Sequence, residues 1–169
     1  MSAPTFQFKS LRELKQMSEE TICFVATLYV DGVRVAQLEN RGFGASTNVT
    51  PVSSDPKVRQ LLDRAREFAL TQTWTYDSKT HNHTSLDSYL DVLVADELAR
   101  RDIDRQFKRH MKVHCLFLTG EGLFTLPRPY LAAMGEALRR EHGPDVVILN
   151  ELPEAEGRAL FEKHAAEPQ

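Results

Sequence analysis

Cysteine is scarce in this chain: only Cys23 and Cys115 occur among 169 residues. That supply suits a reducing compartment, where buried thiols behave as small hydrophobes, and it leaves one disulfide at most to staple a fold. Nor does any segment approach the roughly 18 consecutive apolar residues that a membrane span requires. The opening MSAPTFQFKSLRELK has no apolar export core, so the expected location is the cytoplasm, with no membrane contact. The triplets Asn48-Val49-Thr50 and Asn82-His83-Thr84, which resemble glycosylation acceptors, therefore carry no weight. Excess charge is missing too. Lysine and arginine total 21 against 24 aspartates and glutamates, a net charge of −3, which gives no global reason to bind nucleic acid. Any such binding has to be local.

Motifs that would name a reaction are equally missing. There is no Walker loop, dinucleotide fingerprint, nucleophile triad or paired-carboxylate arrangement, so catalytic residues are unknown and no cofactor is implied. A length of 169 residues with 41% apolar content instead fits one compact domain over residues 1–169, fraying from about 165.

The clearest positive signal is Thr27 to Asn48, TLYVDGVRVAQLENRGFGASTN. Asp31-Gly32 supplies the positive φ angles of a two-residue turn between Ile22 to Val30 and Val33 to Leu38, which predicts a β-hairpin. Val30 then lies opposite Val33, with Leu28 facing Val35, Ala26 facing Gln37 and Tyr29 facing Arg34. Both surfaces are apolar near the middle, so packing is expected on each side. Ser10 is placed to cap a short helix through Leu11, Leu14 and Met17. Asn40 to Ser54 reads as loop, and Ser54-Asp55-Pro56 opens a helix with its apolar stripe on Val58, Leu61, Leu62, Ala65 and Phe68.

Leu70 to Tyr76 alternates as a short strand would, and Asp77 to Thr84 reads as a polar loop. A helical stretch follows from Ser85 to about His110, with a break or exposed section where Asp96, Glu97 and Arg100 interrupt its stripe. Val113 to Leu118 and Leu123 to Leu126 form a second hairpin. Next come a helix carrying Tyr130, Leu131, Met134 and Leu138 that stops at Gly143-Pro144, the apolar strand DVVIL (145–149), and a final helix over Pro153 to His164. This order indicates an α+β fold: two β-hairpins and a short strand in a largely antiparallel sheet, with four or five helices.

Three clusters are candidates for chemistry. In the first, Arg41, Gly42, Phe43, Gly44, Ser46, Thr47 and Asn48, the glycines would let backbone amides converge on an anion while Ser46, Thr47 and Asn48 add hydrogen bonds and Arg41 adds charge. A lone G-x-G is also common in ordinary loops. The second is Arg101, Arg105, Lys108 and Lys112, whose spacing lines four cations along one helical face that would track phosphates or simply be solvated. In the third, His81 and His83 are two residues apart in a loop and would share a metal if Asp77 or Asp87 supplied a third ligand. The consecutive H-N-H does not match the nuclease class of that name, and His83-x-Ser85 matches half of a two-histidine phosphoesterase pattern whose other half is missing. Trp74 and Tyr76 beside this segment suit either base stacking or the core.

Across most of the chain, the segments SEETICFVATLYVDGVRVAQLENRGFG, GEGLFTLPRPY and VVILNELPEAEGRALF follow one another in an order that resembles small uncharacterised proteins encoded by bacteriophages and related mobile elements. The resemblance assigns no activity and transfers no catalytic residue. It implies a non-enzymatic accessory protein in the host cytoplasm that acts by binding, for instance by capturing a nucleotide signal or a protein of a host defence system. The expected partner is thus a small phosphorylated ligand or a host protein, with homo-oligomerisation left open. A metal-dependent or two-histidine-like phosphoesterase centred on His81 and His83 is one alternative. A nucleic-acid-binding accessory protein using the basic stripe is the other.

Overall fold

Alternation of apolar residues along Phe24–Val30 builds the strand around which the first half of the chain is organised. A computed structural model describes residues 2–165, and the expected frayed tail lies, Ala165 apart, outside them. The described residues form an α+β structure of four α-helices and antiparallel sheets of four, two and three strands. They fall into two compact units, residues 2–98 and 99–165.

In the first unit, strands β1 (Phe6–Glu13), β2 (Phe24–Val30), β3 (Val33–Asn40) and β4 (Asn48–Pro51) pair in chain order. Asp31 and Gly32 both have positive φ, 51° and 77°, which gives the β2–β3 turn the hand that matches strand twist. Val30 pairs with Val33 and Tyr29 with Arg34, as the turn predicts, but Leu28 then pairs with Ala36 rather than Val35, and Ala26 with Leu38 rather than Gln37. Val35 is the extra residue of a β-bulge. The cause is hydrophobic: an unbroken ladder would turn Gln37 and Glu39 toward the core, whereas the bulge turns Ala36, Leu38 and Asn40 inward.

Phe24, Ala26, Leu28 and Val30 are all buried on that face. The opposite face of the ribbon is open, contrary to expectation, with Val25 exposed and Lys9 held over the Tyr29 ring at 4.1 Å.

The expected helix from Ser10 is instead the end of β1. Ser10 has φ +51° at a second bulge, Leu11 enters the core, and only Lys15–Met17 makes a 3₁₀ turn. A helix that short is marginal alone, whereas pairing with β2 satisfies the backbone and buries Phe8 and Leu11 against the core. Likewise the long loop after Asn40 is interrupted by β4, which pairs with β3 through residues 36–39.

Helix α1 (Pro56–Ala69) starts where its signals put it, with the Asp55 carboxylate accepting from the Lys57 amide at 2.7 Å, and it buries Val58, Leu62, Ala65 and Ala69. Beyond it, the expected short strand is β5 (Thr73–Tyr76), and β6 (Lys79–Asn82) pairs with it as a separate hairpin in place of the expected polar loop. Asp77 and Ser78 make its turn with φ of 49° and 60°. Helix α2 (Leu86–Val113) is continuous, without the expected break. Its interrupted stripe marks an incompletely covered section: no residue between Val94 and Phe107 is fully buried.

The second unit holds β7 (Cys115–Thr119) between β8 (Gly122–Leu126) and β9 (Val147–Ile148), with α3 (Ala132–His142) and α4 (Glu154–Ala165). Cys115, Phe117, Leu138, Val146 and Ile148 make one small core, and Phe107, Leu116, Leu149 and Phe161 another. Leu131, expected on the buried side of α3, is exposed at its N-cap. Asn150 accepts from the Leu116 amide at 2.7 Å and donates to the His114 carbonyl at 3.1 Å, fastening the turn after β9 to the end of α2.

Candidate functional site

Asn40, the last inward residue of β3, organises the loop that follows. Its Oδ1 accepts from the Gly42 amide at 2.9 Å and from Thr21 Oγ1 at 3.0 Å, while its Nδ2 donates to the Ala45 carbonyl at 3.0 Å. The Gly42 carbonyl in turn accepts from the amides of Glu19, Glu20 and Thr21 at 3.1, 2.9 and 3.2 Å. Gly44 donates its amide to Thr21 Oγ1 at 3.3 Å. Both glycine amides that the sequence offers to an anion thus serve the loop's own architecture. Arg41 pairs with Glu39 at 3.0 Å on the surface, and Phe43 and Ser46 are exposed.

Thr47 is different. It is buried, and its hydroxyl donates to the Asp91 carboxylate of α2. Burial raises the Asp91 pKa, against the opposing pull of hydrogen bonds from Thr47 and Asn40. Where Thr47 and Asn48 leave this network, they border a cleft of about 380 Å³. It is also lined by Arg66 from the last turn of α1 and the C-cap Leu70, by Ser85 just ahead of α2, and by Asp87 from the first turn of α2. Val49 and Leu86 give it apolar wall, and Thr84 another hydroxyl.

Ser85 Oγ accepts from the Ser88 amide at 3.2 Å, capping α2. Arg66 pairs with Asp63 at 2.7 Å, both side chains about half exposed, so its guanidinium can exchange that partner for a ligand at little cost.

The two histidines take separate roles. His81 is exposed on β6 with its ring 5.1 Å from that of Trp74. His83 is buried, with Nδ1 3.3 Å from Ser88 Oγ and its ring edge-on to Tyr89 at 5.1 Å; burial lowers its pKa and favours the neutral imidazole. Among the described residues no group of three His, Cys, Asp or Glu side chains is arranged to hold a metal.

In the basic stripe, Arg105 pairs with Asp102 at 2.9 Å and Lys108 with Glu154 at 3.4 Å. Arg101 is half-buried, and Lys108 and Lys112 border a shallow cavity beside Phe107 and Met111. A second polar cluster in that unit joins Tyr130 and Arg139 to Glu151. Its hydrogen bond to Glu151 pushes the Tyr130 hydroxyl pKa up to about 12.

The structure therefore brings Thr47 and Asn48 of the predicted loop to a cleft, and leaves Arg41, Gly42, Phe43, Gly44 and Ser46 out of its lining. The sequence does not single out Arg66, Leu70 or Asp91, and it offers Asp87 only as a third metal ligand beside His81 and His83. Asp91 had a legible signal, since it adjoins the buried stripe of Leu86, Leu90 and Val94. Among the described residues no helix is long and apolar enough to cross a membrane. No family model matches the sequence, and neither curated proteins nor solved structures give a match.

Proposed function

We propose that this chain is a binding protein that captures a small phosphorylated, nucleotide-type ligand in the cleft between the end of α1 and the start of α2. The observation that carries the reading is the convergence there of Arg66, Asn48, Thr84 and the capped N-terminus of α2 on a partly apolar hollow of about 380 Å³. Cleft sites with apolar walls and a few placed polar groups are the usual form of small-ligand pockets. Arg66 supplies the bidentate anion contact, and the first turn of α2 adds its positive dipole end. Val49, Leu70 and Leu86 give the base or sugar something to rest on. Asp87 at the rim disfavours a highly charged polyphosphate and suits a ligand with an amine or hydroxyl beside its phosphate. Asp91, a half-buried carboxylate outside the lining, is engaged by Thr47, which favours a structural role for it over turnover. Origin in a phage or mobile element, and interference with a host defence system, belong to the same proposal and draw on the sequence resemblance.

Calorimetry with cyclic and linear mononucleotides tests the reading. Micromolar binding is expected, with a loss of roughly tenfold in Arg66→Ala from the missing charged hydrogen bonds. Leu70→Glu, which sets a carboxylate in the cleft, is expected to abolish the heat signal. No heat from any nucleotide at millimolar concentration would remove the proposal.

A further inference from the structure

The β5–β6 hairpin presents aromatic rings outward rather than burying them. Cross-strand pairing joins Trp74 to His81 and Tyr76 to Lys79, and alternation along each strand puts these four side chains on one face. Thr73, Thr75, Thr80 and Asn82 occupy the other. Trp74 is 39% exposed and Tyr76 69%. Their rings lie 6.2 Å apart, and the imidazole of His81 lies 5.1 Å from the indole. The face thus combines three planar π-surfaces with one ammonium, and the only carboxylate on the hairpin is that of Asp77, in the turn.

The platform is also backed. Trp74 lies 6.4 Å from the buried ring of His83, His83 meets Tyr89 at 5.1 Å, and Tyr89 meets Phe6 and Phe68 at 5.5 and 6.1 Å. Rings continue from the surface into the core, so the outer ones are held in place before any ligand arrives. At its foot the hairpin is closed by the His83 amide donating to the Gln72 carbonyl at 3.1 Å. The chain enters it from Leu70 and leaves it at Thr84, and both residues line the cleft. At about 3.3 Å per residue, Trp74 and His81 lie within a few nucleotides' reach of the cleft.

We infer that the ligand is a short single-stranded nucleic acid, with one phosphate seated against Arg66 in the cleft and the following bases stacked on Trp74, Tyr76 and His81 while Lys79 meets the backbone. This inference rests on the proposed cleft function and extends it from a mononucleotide to an oligonucleotide. Stacking explains what the composition does not: an acidic chain binds a polyanion through π-faces and a few local cations. Sequence preference is weak, because every base offers a π-face, and duplex is excluded, because its bases are already stacked.

Trp74 is the sole tryptophan, so its fluorescence reports on the platform directly. The probes are oligodeoxythymidylate, oligouridylate and thymidine monophosphate, titrated into the intact chain while indole emission is followed, with anisotropy of labelled oligomer as a second readout. The expected result is quenching by one or both oligomers and affinity above that for the monophosphate. Tyr76→Ala is expected to lose roughly tenfold for oligomer and nothing for monophosphate. Lys79→Ala should reduce the salt dependence. Circular dichroism confirms that these exposed-site variants fold.

If the monophosphate binds but the oligomers bind no tighter and leave Trp74 emission unchanged, the inference falls and the cleft reading stands. If oligomers quench Trp74 with Arg66→Ala indifferent, the platform stands and the cleft reading falls. Absence of binding by every probe removes both and leaves the aromatic face to a protein partner.

Discussion

Gly42 holds more of the first unit together than its size suggests. With φ of +86°, an added Cβ would stand 2.1 Å from the Met17 carbonyl oxygen and 3.0 Å from Cys23 Cβ, and the same residue's carbonyl gathers three amides of residues 19–21. Gly32 has a similar φ of +77°, but open space surrounds its missing Cβ. The pair therefore separates conformational strain from steric exclusion. Gly32→Ala should cost about 1 kcal/mol, the strain of a left-handed residue. Gly42→Ala should cost about 3 kcal/mol or more, since the backbone of the loop has to move. Urea denaturation of the two variants reads the difference, and equal losses would show that the loop yields without resistance. At this scale the sequence revealed that glycine mattered in RGFG and concealed why: the positive φ is legible, whereas the Met17 carbonyl that forbids a side chain comes from another part of the chain.

Elements were legible where local signals and tertiary demands agreed. Helix α1, with Asp55, Pro56 and a clean stripe, lies where it was expected. The segment from Ser10 misled because its spacing of Leu11, Leu14 and Met17 imitates a helix while β2 offers an unpaired edge, and long-range hydrogen bonds outweigh a short helix's propensity. Of the β5–β6 hairpin, the alternation of Thr73 to Tyr76 marks the first strand, whereas Lys79–Asn82 is polar and exposed throughout, so no hydrophobic alternation signals the second.

In α2, the interruption at Asp96, Glu97 and Arg100 marks a loss of cover and no break. The backbone hydrogen bonds of a helix carry it through a section with no fully buried side chain. Native-state hydrogen exchange should therefore find amides of residues 98–103 less protected than those near Leu90, Val94 and Phe107. Uniform protection along α2 would contradict this account.

For the molecule as a whole, the placement of ionisable groups sets how stability responds to acid. His83 and His110 both have pKa values lowered by burial, His110 further by its neighbour His114. Each is ordinarily near 6.5, so below that pH the unfolded chain takes up protons that the folded chain refuses, and stability falls. Asp91 acts in the opposite sense. Its raised pKa means the folded chain takes up a proton first, so acidification through that higher value adds stability until the unfolded carboxyl is protonated too. The histidines should therefore lower the melting temperature as the pH falls through about 6.5, and His83→Gln should flatten part of that drop. A curve unchanged by His83→Gln would assign the effect elsewhere.

The bulge at Val35 also bears on how this chain tolerates changes of length. Because Val35 is the one residue of β3 without a counterpart on β2, a deletion there would close the ladder with Ala36, Leu38 and Asn40 still inward, at the expense of one buried side chain. A deletion at Glu39 would turn Asn40 outward, and with it would go the hydrogen bonds that shape the loop; losing the bulge to compensate would instead turn Leu38 outward and Gln37 inward. The strand can shed one residue on the turn side of Leu38 and keep the loop; beyond Leu38 it cannot.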